Sequence, residues 1–227
     1  MKVSSEFSKY AHSYTQYNII QNKVADKLLF HVKRKPKYIL DIGCGQGALV
    51  EKIDWEYKHF VGIDFAKGML ELHPKSQAIE CIYGDFNDVT LFQELQKYRF
   101  DYVLSASALQ WAEDLEKVFK QIAMLKTPIS LAIFTANTFK TLHKTANITS
   151  PLRDKETINA LQQKYFDVNV EVINYKLEFN STQEIFHYIK KTGVSGSRNV
   201  LTFKQMKQLL REYPLKYLEF EVVFLYS

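Results

Sequence analysis

An aspartate, three alternating glycines and a second aspartate define the chemistry open to this chain. The stretch Tyr38-Ile-Leu-Asp41-Ile-Gly43-Cys-Gly45-Gln-Gly47 begins as an apolar run, closes on an acid and continues at once into the glycines. Glycine adopts backbone conformations that other residues resist and lets the main chain come close to a ligand. The pattern therefore predicts a strand, a tight ligand-facing loop and the start of a helix. Seventeen residues past Gly47 a second apolar run, His59-Phe-Val-Gly-Ile, ends in Asp64. A carboxylate at that place can accept both hydroxyls of a ribose. The two segments together predict a site for a nucleoside-containing cofactor.

Gly43-x-Gly45-x-x-Ala48 also satisfies the relaxed fingerprint for a dinucleotide. Asp41 separates the alternatives. A carboxylate at the mouth of the loop repels a pyrophosphate, whereas it attracts the ammonium end of a methionine moiety. The cofactor that suits the pattern is thus S-adenosylmethionine. Phe65 and Met69, just past Asp64, join the expected cofactor-binding set. Gly84-Asp85-Phe86 follows the third strand-like run, where Asp85 can meet the exocyclic amine of adenine and Phe86 can cover its ring. Ser105-Ala-Ser-Ala-Leu109-Gln110-Trp111 follows the fourth. Ser105 is expected at the cofactor, and Gln110 and Trp111 at the wall of the acceptor pocket.

These residues need a scaffold that gathers strand ends. Tyr38–Ile42, His59–Asp64, Ala78–Tyr83, Phe100–Ser105 and Ile129–Phe134 read as strands, with helical stretches after Gly47, Lys67, Asp88 and Glu113. Strict alternation of this kind predicts an α/β protein with a parallel, doubly wound sheet, and ligands bind at the carboxyl ends of such strands. Before the first strand, Ile20, Val24, Leu28 and Leu29 recur at helical spacing between Tyr17 and about Lys33. Beyond the fifth, Asp154–Tyr165 reads as a helix and Asp167–Phe179 as an alternating strand. Ser181-Thr-Gln-Glu184 and Thr202-Phe-Lys-Gln205 are capping boxes that open two more helices, and Lys216–Tyr226 is a final strand. With no linker or repeat, residues 1–227 form one domain: 1–35 a lid and helix, 36–135 the cofactor core, 136–227 the acceptor side.

Composition excludes several alternatives. The chain is 46% hydrophobic and 24% charged, ordinary for a globular domain. It has no long uncharged apolar run and no signal-like start, so no membrane partner and a cytoplasmic location are expected. Cys44 and Cys81 have no metal-ligand spacing and the six histidines are scattered, so no metal is expected. The net charge of +5 points to an anionic partner. Lys33 to Lys37 is one basic run, and Lys204, Lys207 and Arg211 share a helical face. The Asn-Pro-Pro-Tyr or Asp-Pro-Pro-Tyr motif of amino-group methylation is absent after the fourth strand, and the basic residues are few and dispersed, so nucleic acid is not the expected partner.

Asp-x-Gly-x-Gly-x-Gly resembles the signature of Rossmann-like S-adenosylmethionine-dependent methyltransferases, and Ala-Leu-Gln-Trp resembles their small-acid O-methyltransferases, among them the trans-aconitate enzymes. The start, Phe7-Ser-Lys-Tyr10-Ala11-His-Ser-Tyr14, is similar to the Phe-x-x-x-Ala-x-x-Tyr signature of the malonyl-acyl-carrier-protein O-methyltransferases of biotin synthesis. The tail, from Lys191-Thr-Gly193 through Arg198 to Tyr213-Pro214-Leu215-x-Tyr217, is similar to the same family. This resemblance spans nearly the whole chain. It implies a mostly parallel sheet with an antiparallel C-terminal strand, an aromatic N-terminal lid containing Tyr10 and Tyr14, and esterification of the malonyl carboxylate on an acidic acyl carrier protein. Methylation of a free acid such as trans-aconitate is the alternative. Arg198, with its planar fork, is the expected grip on the acceptor carboxylate. A carboxylate is already ionised at neutral pH, so no general base is expected.

Overall fold

The computed structural model describes residues 18–192 and 203–227. The seven strands of one sheet are β1 (Tyr38–Ile42), β2 (His59–Asp64), β3 (Ile79–Tyr83), β4 (Tyr102–Ala106), β5 (Ile129–Phe134), β6 (Asn169–Glu178) and β7 (Tyr217–Tyr226). Their order is β3-β2-β1-β4-β5-β7-β6. β1 to β5 run parallel, and β7 inserts antiparallel between β5 and β6. Order reverses beside β1, where β1 lies between β2 and β4, so the crevice at its carboxyl end is the expected ligand site.

Both faces of the central strands are covered, which is why their sequences are apolar throughout rather than alternating. Successive side chains point to opposite faces. Ile39 thus joins one core cluster with Phe60, Leu104 and Phe134, while Leu40 joins the other with Val61, Val103 and Leu131. The first face is closed by α1 (Ile19–Phe30), α5 (Lys140–Ala146), α7 (Thr182–Thr192) and α8 (Phe203–Glu212). The second is closed by α3 (Val89–Leu95), α4 (Leu115–Met124) and α6 (Lys155–Gln162). In α1, Ile20, Val24 and Leu28 are fully buried, as their spacing requires.

Helix starts follow their caps. Asp88, Asp114 and Asp154 each accept a backbone N–H from the first turn of the helix that follows. At α7 the Ser181 hydroxyl accepts from Glu184 N at 3.2 Å, while the Glu184 carboxylate accepts from Asn180 N at 3.0 Å, one residue before the expected partner. Thr202, of the second capping box, lies outside the described residues.

One expectation fails. The helix after Gly47 is a single 3-10 turn, Val50–Lys52. Trp55 donates from Nε1 to Pro36 O at 3.0 Å, drawing the segment back beneath β1 and leaving a short return to β2. The helix that follows Asp64, α2 (Lys67–Leu72), is also short. Among the described residues, no helix is long and apolar enough to cross a membrane.

Candidate active site

The glycine loop closes the carboxyl end of β1. Gly43 N and Cys44 N both donate to Ile63 O, at 2.8 and 3.0 Å, tying the loop to the end of β2. All three glycines have positive φ, +75°, +54° and +90° for Gly43, Gly45 and Gly47, a region costly for residues with a Cβ. Their surroundings differ. A Cβ on Gly43 would collide with Ala108 Cβ, and one on Gly47 would sit 2.5 Å from Pro74 Cδ. A Cβ on Gly45 would meet nothing within 4 Å. Gly43 and Gly47 are therefore glycines because protein packs against them. Gly45 is the one that leaves room for something else, which narrows the expected role of the loop.

A crevice opens over Gly45. Its walls come from the loop (Gly43, Cys44, Gly45, Gln46, Ala48), from Asp64, Phe65 and Met69 after β2, and from Phe86 after β3. Ala106, Ser107, Ala108 and Trp111 supply the β4 side. The N-terminal turns of α1 cover it with Asn18, Gln21 and Ala25.

Asp64 spans the crevice floor. Its Oδ2 accepts from Gly45 N at 2.9 Å and its Oδ1 from Ala66 N at 2.8 Å. An ionised carboxylate has about four acceptor sites, so each oxygen keeps capacity for a further donor. Burial pushes its pKa up to about 6, partly opposed by the bonds from Ala66, Gly45 and Phe65. Asp41 lies beneath the loop, 1% exposed, and does not itself line the crevice. Its Oδ1 has no hydrogen-bond partner among the described residues. Burial drives its pKa well up, and the charge of Asp64 adds to the rise. No described cation offsets this pair in the ion pairs of the molecule.

A site with two buried acids, an unpartnered carboxylate oxygen and open space above one glycine fits a ligand that brings positive charge and hydroxyl donors. It does not fit a pyrophosphate, which would add two negative charges beside them. The residues present thus suit S-adenosylmethionine, with Asp64 facing the crevice and Asp41 buried beneath its floor.

Other expected residues are distributed differently. Phe65, Met69 and Phe86 line the crevice, and Phe65 and Phe86 meet edge-on with centroids 6.3 Å apart. Asp85 is exposed and turns back on its own loop, its Oδ1 accepting from Asn87 N and Nδ2 at 2.9 and 2.8 Å. It does not line the crevice, because the Asx turn is satisfied locally. Ser105 is fully buried and donates to Ile42 O at 2.7 Å, stitching β4 to β1 below the site. Two residues on, Ser107 lines the crevice with φ +61° and an unpartnered buried hydroxyl. A non-glycine residue held there is a strained point of the kind found at functional loops. Trp111 lines the same wall. Gln110 instead donates to Ser107 O at 2.6 Å, bracing the loop from behind. Tyr10, Tyr14 and Arg198 lie outside the described residues.

Two features escaped the reading of the sequence: the polar turn that opens α1, and Arg153. Asn18 and Gln21, with Ala25, put polar groups at i, i+3 and a small residue at i+7 along one face of an amphipathic helix and its N-cap. The Gln21 carbonyl is buried and unpartnered, and Asn18 accepts from Asn22 at 2.9 Å. That break in the apolar face was the available signal. Arg153 was the other. Its guanidinium donates to Ala112 O at 2.8 Å and Glu113 O at 3.0 Å, anchoring the turn that carries Trp111 from 40 residues away in sequence.

Comparison with known proteins agrees with this geometry. Residues 39–128 match the Methyltransferase domain family. The malonyl-[acyl-carrier protein] O-methyltransferase of Bacillus anthracis is 24% identical, over 92% of this chain and 86% of its own. Among solved structures, a methyltransferase from Bacillus halodurans superposes with a TM-score of 0.62 at 10% identity, over 88% of this chain and 96% of its own. Phosphoethanolamine N-methyltransferase 2 of Haemonchus contortus, in complex with S-adenosyl-L-methionine, superposes with a TM-score of 0.52 at 16% identity, over 89% of this chain and 52% of its own. The structural likenesses carry the fold, and the domain match with the relatives in sequence carries the methyltransferase activity. The chain is an S-adenosylmethionine-dependent methyltransferase, similar over most of its length to enzymes named malonyl-[acyl-carrier protein] O-methyltransferase.

Proposed function

We propose that the protein esterifies the free carboxylate of a malonyl thioester held on an acidic acyl carrier protein, an early step toward the pimeloyl unit of biotin. The observation that carries the acceptor is the relation over 92% of the chain to enzymes of that name. The crevice supports the donor side.

In this reading Asp64 accepts the ribose hydroxyls and Asp41 compensates the ammonium charge through the loop. Gly45 admits the methionine moiety, and Phe65, Met69 and Phe86 enclose the adenine. S-adenosylmethionine supplies an electrophilic methyl group on a positively charged sulfur. Transfer of that methyl group to a malonyl carboxylate would remove charge from both partners, so the chain's part is to keep the site dry. Trp111 excludes water on the acceptor side, and Ser107 and Gln110 hold its loop. No side chain has to move a proton, and the work is alignment. From the sequence, Arg198 grips the acceptor, and Tyr10 and Tyr14 complete the lid.

Lys207 and Arg211 stand exposed on α8, although Arg211 also lies 3.7 Å from Glu212. From the sequence, Lys204 shares their helical spacing, and the three are assigned to the acidic carrier in this reading. The test is transfer of labelled methyl from S-adenosylmethionine to malonyl-carrier protein, to malonyl-CoA and to trans-aconitate. Label on the malonyl thioesters, lost on mild base treatment, supports the reading. Label on trans-aconitate alone would replace it with the free-acid alternative.

A further inference from the structure

The opposite end of the sheet holds a second pocket with the reverse electrostatic character. It opens at the amino ends of β1, β4 and β5, and Arg34, Lys35 and Lys126 line it together with Phe100, Asp101 and Tyr102. Five residues of β1 at about 3.3 Å each put ~16 Å of strand between it and the donor crevice. No lining residue is shared.

The basic run before β1 divides here. Lys33 lies over the Phe30 ring and donates to Phe30 O, while Lys37 donates to Glu56 O. Arg34 and Lys35 make no ion pair or side-chain hydrogen bond among the described residues, and neither does Lys126, which arrives from a distant segment. Lys126 is held at φ +52°, beyond the end of α4, where glycine would be the unstrained choice. The one acid, Asp101, is engaged: its Oδ2 accepts from Lys37 N at 2.8 Å and Tyr38 N at 3.1 Å.

The decisive group is Tyr102. It is 3% exposed, and its hydroxyl is buried with no hydrogen-bond partner among the described residues. An unmade hydrogen bond by a buried hydroxyl is costly, so the position calls for an acceptor. Arg34 is close enough for its charge to oppose the burial that raises the phenol pKa. Three cations against one carboxylate leave two positive charges in excess, and an arginine fork with a phenol donor matches a tetrahedral oxyanion.

We propose that the pocket formed by Arg34, Lys35, Lys126 and Tyr102 is a second binding site, for a phosphate dianion. The group is either free phosphate or the terminal phosphate of a monoester whose body rests on Phe100. Because the pocket lies at the amino ends of the strands, opposite the donor crevice, its occupant does not meet the transferred methyl group.

The test is calorimetric titration of the intact protein with inorganic phosphate and, separately, with phenyl phosphate, at fixed ionic strength in a buffer free of phosphate. Phosphate should bind with one-to-one stoichiometry. Arg34→Ala and Lys126→Ala should each weaken it about tenfold, equivalent to about 1.4 kcal/mol. Tyr102→Phe preserves shape and should weaken phosphate while leaving S-adenosylmethionine affinity unchanged. Tighter binding of phenyl phosphate identifies the monoester, and equal binding identifies the free ion, each within the proposal. Absence of phosphate binding, or binding indifferent to all three substitutions, overturns it.

Discussion

Asp64 and Asp101 make nearly the same bonds at opposite ends of the sheet, each carboxylate accepting two backbone N–H groups. Asp101 is exposed and shares its pocket with three cations. Asp64 is buried, with Asp41 and no described cation beside it. At the amino ends the carboxylate does a structural task, fixing where β1 begins. At the carboxyl ends the same bonds orient a charge that the fold leaves uncompensated. The difference teaches that hydrogen-bond count does not distinguish a structural acid from a functional one. Burial without a counter-charge does, because it stores an interaction for a ligand to complete.

The sharpest way to break this contrast lies in the loop. Gly45→Val should reduce S-adenosylmethionine affinity about five- to hundredfold, because the added side chain fills the open space and overpacking costs about 1–3 kcal/mol. Its melting temperature should fall only by the strain of its positive φ. Gly47→Val should do the reverse, losing stability against Pro74 and His73. Thermal melts and calorimetry on the pair decide it, and an equal loss of affinity at equal stability would erase the distinction.

Asp64→Ala should cost about 1.5–3 kcal/mol of donor affinity, the range for hydrogen bonds to a charged group. Unchanged calorimetric affinity would remove Asp64 from the site. The wild-type protein should also show pH-dependent binding. The folded-state pKa of Asp64 is raised to about 6, and a cationic ligand with hydroxyl donors favours its ionised form. Binding therefore releases a proton near and below pH 6, and affinity should fall as pH drops through 6, by at most about tenfold per unit for this group. Flat affinity between pH 5 and 7.5, together with no dependence of the heat on buffer ionisation, would contradict this assignment.

Smaller effects test the supporting residues. An acid whose folded pKa lies above its unfolded value destabilises the fold once pH exceeds that unfolded value. Asp41→Asn should therefore raise the melting temperature of the ligand-free protein at pH 8, with the gain fading toward pH 4, while donor affinity falls. A lower melting temperature at pH 8 would mean that Asp41 has a partner in the fold. Arg153→Ala should raise KM for the acceptor several-fold and leave donor affinity unaltered, because it frees the turn bearing Trp111. Acceptor kinetics matching wild type would confine Arg153 to local packing.

What the amino-acid sequence determined by itself is whatever short-range pattern controls. Apolar runs ending in Asp41 and Asp64, glycines where φ must be positive, and Asp caps at α3, α4 and α6 are each decided by neighbours a few residues away. The alternation of strands and helices then leaves few sheet topologies. What only the tertiary structure decided depends on partners distant along the chain. Ser105 is structural because Ile42 O, 63 residues away, takes its hydrogen, and Ser107 faces the crevice instead. Gly47 is needed by Pro74 rather than by a ligand, and Arg153 reaches back to the Trp111 turn. Asn18 and Gln21 enter the site because α1 folds across it. Spacing locates the end of a strand, but which side chain faces a ligand follows from what the rest of the chain packs against the other side, and that has no local signature.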